Sequence, residues 1–183
     1  MYYNIKPIIC TTLKSSDNIL IKIANKYKIK YFRGSEKNKI NRWYECAKKY
    51  RLKYFHTFDS DDPYFDPITI KQSLNECKKG YDIVFPSKVS KNGGASEGYS
   101  FSLKSISNLN KDIKINYKKT NFLDTEMIEK FIDRKNFKIK HLEGAKYALK
   151  NLRLTLDYIE DYSMIKEIFA KLGSFSSRKK INN

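Results

Sequence analysis

Four carboxylates stand where short apolar runs end, and they are the residues best placed to do chemistry. Asp59, Asp61 and Asp62 follow the run Tyr54 to Phe58, and Asp157 closes Arg153-Leu154-Thr155-Leu156. A hard cation such as Mg2+ takes few protein carboxylates and fills its octahedron with water and phosphate oxygens. If the two runs are neighbouring strands, Asp61 and Asp157 could share one such ion, and phosphoryl or nucleotidyl transfer becomes the chemistry to consider. The same spacing also suits carboxylates that only cap a turn or helix after a strand. Cys10, Cys46 and Cys77 are odd in number and widely spaced, with only His56 and His141 as nitrogen partners, so neither a disulfide framework nor a zinc site is supported.

The elements that must position these residues alternate between strand and helix. Pro7 to Cys10 reads as a strand leading into Thr11 and Thr12, and Ser15, Ser16 and Asp17 supply cap chemistry for a helix through about Tyr27. Lys30 to Arg33 is strand-like and stops at Gly34. Ile40, Trp43, Tyr44 and Ala47 then recur at helical spacing in a helix running from Ser35 to about Tyr50. Tyr54 to Phe58 is a third strand, Asp66-Pro67 starts a helix, and Asp82 to Phe85 is a fourth strand. The stretch from Ser87 to Asn121, with its Gly93-Gly94 pair, reads as less regular. A helix from about Asp124 to Ile132 follows, then strands at Phe137 to Leu142 and Leu152 to Leu156, and an amphipathic helix from about Glu160 to Leu172. Such alternation predicts βαβ units, hence a mostly parallel sheet, flanked by helices, with ligand chemistry at the carboxyl ends of buried strands. Thr11, Thr12, Asp59, Asp61 and Asp62 then fall on one rim.

The 183 residues suffice for one core, and at 40% hydrophobic and 14% aromatic they are not the composition of a disordered chain. No apolar run approaches the roughly 20 residues of a membrane span, and Met1 to Cys10 does not read as a signal peptide, so a cytoplasmic protein with reduced thiols is expected. The charge balance, 37 basic against 20 acidic residues and net +17, invites a polyanion partner. Yet the lysines are dispersed, and the one tight basic run of the tail is Arg178-Lys179-Lys180. Solvated lysine faces account for such a pattern without a specific nucleic acid.

Three ordered stretches resemble bacterial cytidylyltransferases of the spore coat polysaccharide and acylneuraminate type. Tyr31-Phe32-Arg33-Gly34-Ser35-Glu36 with Arg42-Trp43-Tyr44 and Ala47-Lys48 is similar to their FRGSE and RYYxAAK segments. Asp61-Asp62-Pro63-Tyr64-Phe65-Asp66-Pro67 is similar to DCPLIDP. Leu152 to Asp157, with Glu160-Asp161-Tyr162 and Ile165 to Phe169, is similar to LRLTVDTPEDF-LIKKIF. The resemblance implies a Rossmann-like nucleotide-diphospho-sugar transferase fold over residues 1–173, with a basic tail or truncated helix over 174–183. It further implies attack by a sugar hydroxyl on the α-phosphate of CTP, with pyrophosphate leaving and a CMP-sugar of the nonulosonic type forming. By the same resemblance Asp61 and Asp157 would hold Mg2+ and Glu97 would face the sugar, while Thr11 and Thr12, on the rim that the strand ends define, are candidate substrate contacts. Arg153 would pair with the sugar's carboxylate or sit in a structural ion pair. CTP and an acidic sugar are the partners implied, with no membrane and with room for a homodimer.

The departures shape the expectation too. The family opens with a strand and a glycine-rich loop around the triphosphate, the sequence here starts beyond them, and Tyr158-Ile159 replaces a Thr-Pro. A shortened chain whose turnover needs that loop is therefore expected. The rival readings are a catalytically silent relative serving as a binding or assembly partner, and a basic nucleic-acid-binding module. Against the latter stands the lack of an RNP-type motif, zinc spacing or helix-turn-helix pattern.

Overall fold

The computed structural model describes residues 5–65, 67–87, 97–116, 123–143 and 154–172. The chain divides into two compact units, one of Met1–Phe55, Gly80–Ile83 and Phe101–Ile139, the other of His56–Lys79, Val84–Ser100 and Lys140–Asn183. In the first, β-branched Ile8 and Ile9 open β1 (Ile8–Thr12), and α1 (Asn18–Lys26) carries the chain over to β2 (Lys30–Gly34). The strands pair in parallel, from Ile8 opposite Lys30 to Thr12 opposite Gly34. A parallel pair requires such a crossover.

Helix α2 (Lys39–Lys49) buries Ile40, Trp43, Cys46 and Ala47, the apolar stripe legible in the sequence. It begins later than Ser35 because Asn38 is its cap: the Asn38 side chain accepts the Asn41 amide at 2.8 Å. Ser35 in turn accepts the Asn38 amide at 3.1 Å. Both α1 and α2 end alike. Lys28 and Arg51 adopt left-handed angles (φ 55° and 53°). The next amides, of Ile29 and Leu52, reach back to the carbonyls of Ala24 at 2.8 Å and Ala47 at 2.9 Å. This is the six-to-one bond of a Schellman ending, here without glycine.

Strands β3 (Tyr54–Thr57), β5 (Tyr99–Ser102), β4 (Ile83–Phe85) and β6 (Ile139–His141) lie side by side in that order. Helix α3 (Pro67–Lys78) precedes β4, α4 (Leu103–Asn116) follows β5, and α5 (Ile159–Leu172) closes the described chain. The first unit's core includes Trp43 and Phe55, each packed on Phe101 with centroids 6.0 and 5.6 Å apart, together with Ile106, Leu109 and Ile113 of α4. In the second unit the buried residues include Ile70, Cys77, Val84, Phe85 and Ile165, with Asp62, Ser73, Ser87 and Ser100 among them.

Several expected elements are corrected. Residues 99–116, read as irregular, form β5 and α4; Ser102 and Ser105 cap α4 reciprocally, each amide donating to the other's hydroxyl at 3.0 Å. The helix from Asp124 to Ile132 shrinks to a 3-10 turn at Ile128–Phe131. Its first residues are otherwise engaged: Asp124 turns back on the Glu126 amide at 2.9 Å, and Thr125 exchanges bonds with Lys37 and Ile40 at the start of α2. Leu154 to Asp157 is not a strand, while Leu152 and Arg153 lie outside the described residues. Of the strands expected to be buried, only β4 is so throughout; β1 and β3 are mostly half-buried. Asp66, Gly93-Gly94 and the tail from Gly173 also lie outside the described residues.

Candidate functional site

In the first unit, Thr11 and Thr12 end β1 and their hydroxyls are turned inward on Asp17. Both donate to Asp17 Oδ2 at 2.6 Å, and the Thr12 amide donates to the same oxygen at 2.9 Å. Three donors on one carboxylate oxygen hold the Asp17 pKa well below the usual carboxylate range, the Thr11 hydroxyl contributing most. Asp17 therefore ties the loop after β1 and makes no side-chain cap for α1, contrary to the sequence expectation. Arg33 braces the same loop, donating to the Thr12 carbonyl at 2.8 Å, Asn18 Oδ1 at 2.8 Å and the Lys14 carbonyl at 2.6 Å. Arg42 donates to the carbonyls of Ser35 and Glu36 at 2.6 and 3.0 Å. The arginines that carry the first stretch of resemblance thus act on backbone carbonyls, shaping the ends of β1 and β2.

The second unit gathers the carboxylates. Strand β3 ends at Thr57, and the loop that follows is pinned by Phe58 stacking on Phe65, centroids 4.4 Å apart. Tyr64 packs on Phe169 of α5 at 5.0 Å. Within the loop the Asp62 amide donates to the Asp59 carbonyl at 3.2 Å, and Asp62 is buried while Asp59 and Asp61 face solvent. The Leu156 amide donates to the Asp61 carbonyl at 2.8 Å. That bond sets Asp157 one residue away from the Asp61 backbone.

Why residues 154–157 stay irregular follows from where their donors go. The Asp157 and Tyr158 amides both donate to Asp161 Oδ2 at 2.9 Å, capping the start of α5. The Thr155 hydroxyl donates to Asp157 Oδ2 at 3.2 Å. Asp161 thus does the capping, and Asp157, exposed, is presented by it.

Glu97 belongs to the same unit. Its Oε2 accepts the Ser87 amide at 2.5 Å, and the chain then passes through Gly98 at φ 62°. A Cβ on Gly98 would sit 1.6 Å from the Thr57 carbonyl oxygen and 2.9 Å from His56 Nε2, so only glycine fits. Tyr99 and Thr57 exchange bonds across the strands at 3.3 Å. Of the sequence-derived site residues, Asp61 and Asp157 meet through adjoining backbone, Glu97 shares their unit, Thr11 and Thr12 belong to the other, and Arg153 lies outside the described residues.

Sequence reasoning missed His56. A histidine inside the apolar run Tyr54 to Phe58 was the available signal, since a polar ring there must find buried partners. Its Nδ1 lies 2.8 Å from Ser100 Oγ, which also receives the Ser73 hydroxyl at 2.7 Å. Burial pushes its pKa down to about 4, against a weaker upward pull from the Glu97 backbone.

The fold so described, a parallel-rich α/β sheet flanked by helices, is similar to the Rossmann-like folds of solved nucleotidyltransferases. No protein-family model matches the chain. An uncharacterized protein of Methanocaldococcus jannaschii, MJ1063, is 28% identical over 165 residues, 88% of this chain and 64% of the relative. The chain thus spans under two thirds of that relative's length. A cytidylyltransferase from Leptospira borgpetersenii superposes with a TM-score of 0.73 at 20% identity, covering 90% of this chain and 68% of its own. The 4-diphosphocytidyl-2C-methyl-D-erythritol synthase of Anaerococcus prevotii gives 0.60 at 17% identity, over 90% and 78% of the two chains. Molybdopterin-guanine dinucleotide biosynthesis protein A of Archaeoglobus fulgidus gives 0.53 at 13%, over 85% and 75%. At these identities the likeness is one of fold.

Proposed function

We propose that this chain is a nucleotidyltransferase domain of the cytidylyltransferase kind, transferring CMP from CTP to an acidic sugar of the nonulosonic class with release of pyrophosphate. The observation that carries the reading is the Leu156 to Asp61 backbone bond, which couples the two carboxylate segments of the resemblance at the head of α5. The shared fold with a cytidylyltransferase supports it.

Mg2+ fits the residues present. Asp61 and Asp157 offer hard oxygen donors on segments joined by the Leu156 to Asp61 backbone bond. Such a pair suits an ion that keeps much of its water rather than zinc, which asks for several protein ligands. When bound, the ion would offset the negative charge that builds on the α-phosphate. Asp61 and Asp157 would hold it, with Asp161 and the Thr155 hydroxyl fixing how Asp157 is presented. Glu97 would face the acceptor sugar, and Arg153 would pair with its carboxylate.

The test uses a paramagnetic stand-in. Substoichiometric Mn2+ should broaden the Asp61 and Asp157 amide resonances before any others, and CTP should tighten that binding. Asp61→Asn and Asp157→Asn should each weaken Mn2+-dependent CTP binding about tenfold or more, as expected from losing one charged ligand. Broadening centred on other residues, or CTP affinity indifferent to the ion, would overturn the assignment.

A further inference from the structure

The end of the first unit at which β2 and β3 begin gathers cations that no carboxylate neutralises. Helix α1 finishes there with Lys26, and Lys28 then leads to Lys30 at the start of β2. Helix α2 finishes with Lys48 and Lys49, and Arg51 and Lys53 lead into β3. Direct contacts join the two turns: the Tyr50 hydroxyl donates to the Tyr31 carbonyl at 2.6 Å, and Lys30 Nζ lies 5.2 Å from the Tyr50 ring centroid. The Leu103 amide donates to the Lys53 carbonyl at 2.9 Å, which brings Lys104 of α4 to the same end. All of these cations are exposed. Among the described residues none of them reaches a carboxylate, whereas Lys14, Lys39 and Lys79 elsewhere are paired.

Helix electrostatics explain only part of the cluster. Lys26, Lys48 and Lys49 suit the last turns of α1 and α2, where the helix dipole is negative. The same rule disfavours Lys104, in the first turn of α4, and gives no reason for Lys28, Lys30, Arg51 or Lys53, which lie outside the helices. Between Asn18 and Phe58 the only acids are Glu36, taken by Lys14 at 2.5 Å, and Glu45, within α2. Like charges gathered at one end repel, and an anionic surface laid against them relieves that repulsion.

The side chains decide which anionic surface fits. Lys26 lies over the Tyr27 ring at 5.5 Å, and Lys30 and Lys49 lie over the Tyr50 ring at 5.2 and 5.5 Å. A nucleic-acid base would have to displace those ammonium groups in order to stack. Carboxylates of an acidic peptide are gripped best by the arginine fork, and Arg51 is the one arginine of this set. Lysine point charges beside the exposed rings of Tyr27 and Tyr54 match phospholipid headgroups instead, with ammonium groups among the phosphates and phenols at the interface.

We propose that this lysine and tyrosine end of the first unit is a docking surface for a membrane rich in acidic phospholipid. Such a contact needs no spanning helix, and it narrows the sequence expectation of no membrane to one of no span. It goes beyond the nucleotide chemistry and uses neither Asp61 nor Asp157.

Vesicles of phosphatidylcholine with about 30% phosphatidylglycerol should co-sediment the chain at about 100 mM salt, and vesicles of phosphatidylcholine alone should not. Lys28→Gln, Lys53→Gln and Lys104→Gln combined should weaken that binding about thirtyfold or more, since each lysine at such a surface is worth several-fold. Lys111→Gln, Lys114→Gln and Lys166→Gln combined remove the same charge from other exposed positions, and should weaken it by less than about threefold. Equal losses in the two triple variants would reduce the contact to diffuse net charge, and no capture by acidic vesicles would mean no contact; either overturns the proposal. Tyr27→Trp gives a readout that leaves every cation in place: its added emission should shift to the blue on acidic vesicles, and an unchanged spectrum with bound vesicles overturns the placement. Soluble glycerophosphoglycerol should not compete, and competition by it would make this a small-phosphate site rather than a membrane surface. Polyuridine bound more tightly than vesicles at equal phosphate, and lost in the Lys28, Lys53 and Lys104 variant, would assign the surface to nucleic acid instead.

Discussion

Burial makes His56 a proton sensor of folding itself. Unfolded, the imidazole takes its proton near pH 6.5; folded, it holds out to about 4. Between those values the unfolded chain binds the additional proton, so stability that is complete above pH 6.5 is lost progressively as the pH falls toward 4. At 1.36 kcal/mol per pH unit the loss is about 3 kcal/mol. Asp17 works lower on the scale: its carboxyl, depressed by the Thr11 and Thr12 hydroxyls, contributes above its ordinary pKa and loses that contribution only in stronger acid. Urea midpoints measured from pH 7.5 down to 4.5 should therefore fall steadily in the wild-type chain. In His56→Gln, whose side chain does not titrate, most of that slope should vanish, and a wild-type slope retained in the variant would trace the acid sensitivity to other groups.

Elements were legible where one face of a periodic run met one core, and illegible where backbone donors were spoken for by side chains. The stripe Ile40, Trp43 and Ala47 announced α2, and the Pro67 start announced α3. Helix α4 was missed: Ile106, Leu109 and Ile113 recur at helical spacing after the Ser102 and Ser105 pair, but lysines and asparagines dilute the pattern. The segment at Thr125 failed for another reason: its hydroxyl and amide serve the start of α2, a partner 85 residues or more away in sequence that no local pattern reveals. Likewise Leu152 to Leu156 reads as a strand, yet its described residues form none, and the donors that follow, the Asp157 and Tyr158 amides, go to Asp161. That cap gives a prediction at this scale. Asp161→Ala should cost about 1 kcal/mol in urea unfolding, the usual value of a lost cap, and should loosen Mn2+-dependent CTP binding, because Asp157 would lose the carboxylate that holds its amide. Asp161→Asn, which keeps an acceptor oxygen, should recover most of the stability. Unchanged metal-dependent binding in Asp161→Ala would mean that Asp157 is not presented by the cap.

For the whole molecule, strand and helix alternation was enough to reach the α/β class, whereas the division into two units was not legible, because each is assembled from separated stretches of chain. The net charge of +17 has to be read at this scale too. Among the described residues the cations are spread over many small arrangements rather than one groove. Lys14 pairs with Glu36, Lys39 with Glu126 and Lys79 with Glu76, while Lys26, Lys30, Lys48 and Lys138 lie over tyrosine rings. Lysine is a point charge without the forked geometry that reads a base edge, so such a surface attracts polyanions through counterion release and discriminates little among them. No helix of the described chain is long and apolar enough to cross a membrane. Binding to single-stranded or duplex oligonucleotides should therefore be weak, independent of sequence and largely lost between about 50 and 200 mM salt, whereas Mn2+-dependent CTP binding, if held by inner-sphere carboxylates, should fall far less over the same range. Fluorescence anisotropy with two unrelated oligonucleotides, run beside a CTP titration at each salt concentration, separates the two kinds of association. Sequence-dependent affinity in the nanomolar range at about 200 mM salt would reverse the ranking, since charge dispersed in this way has no means of selecting one sequence over another.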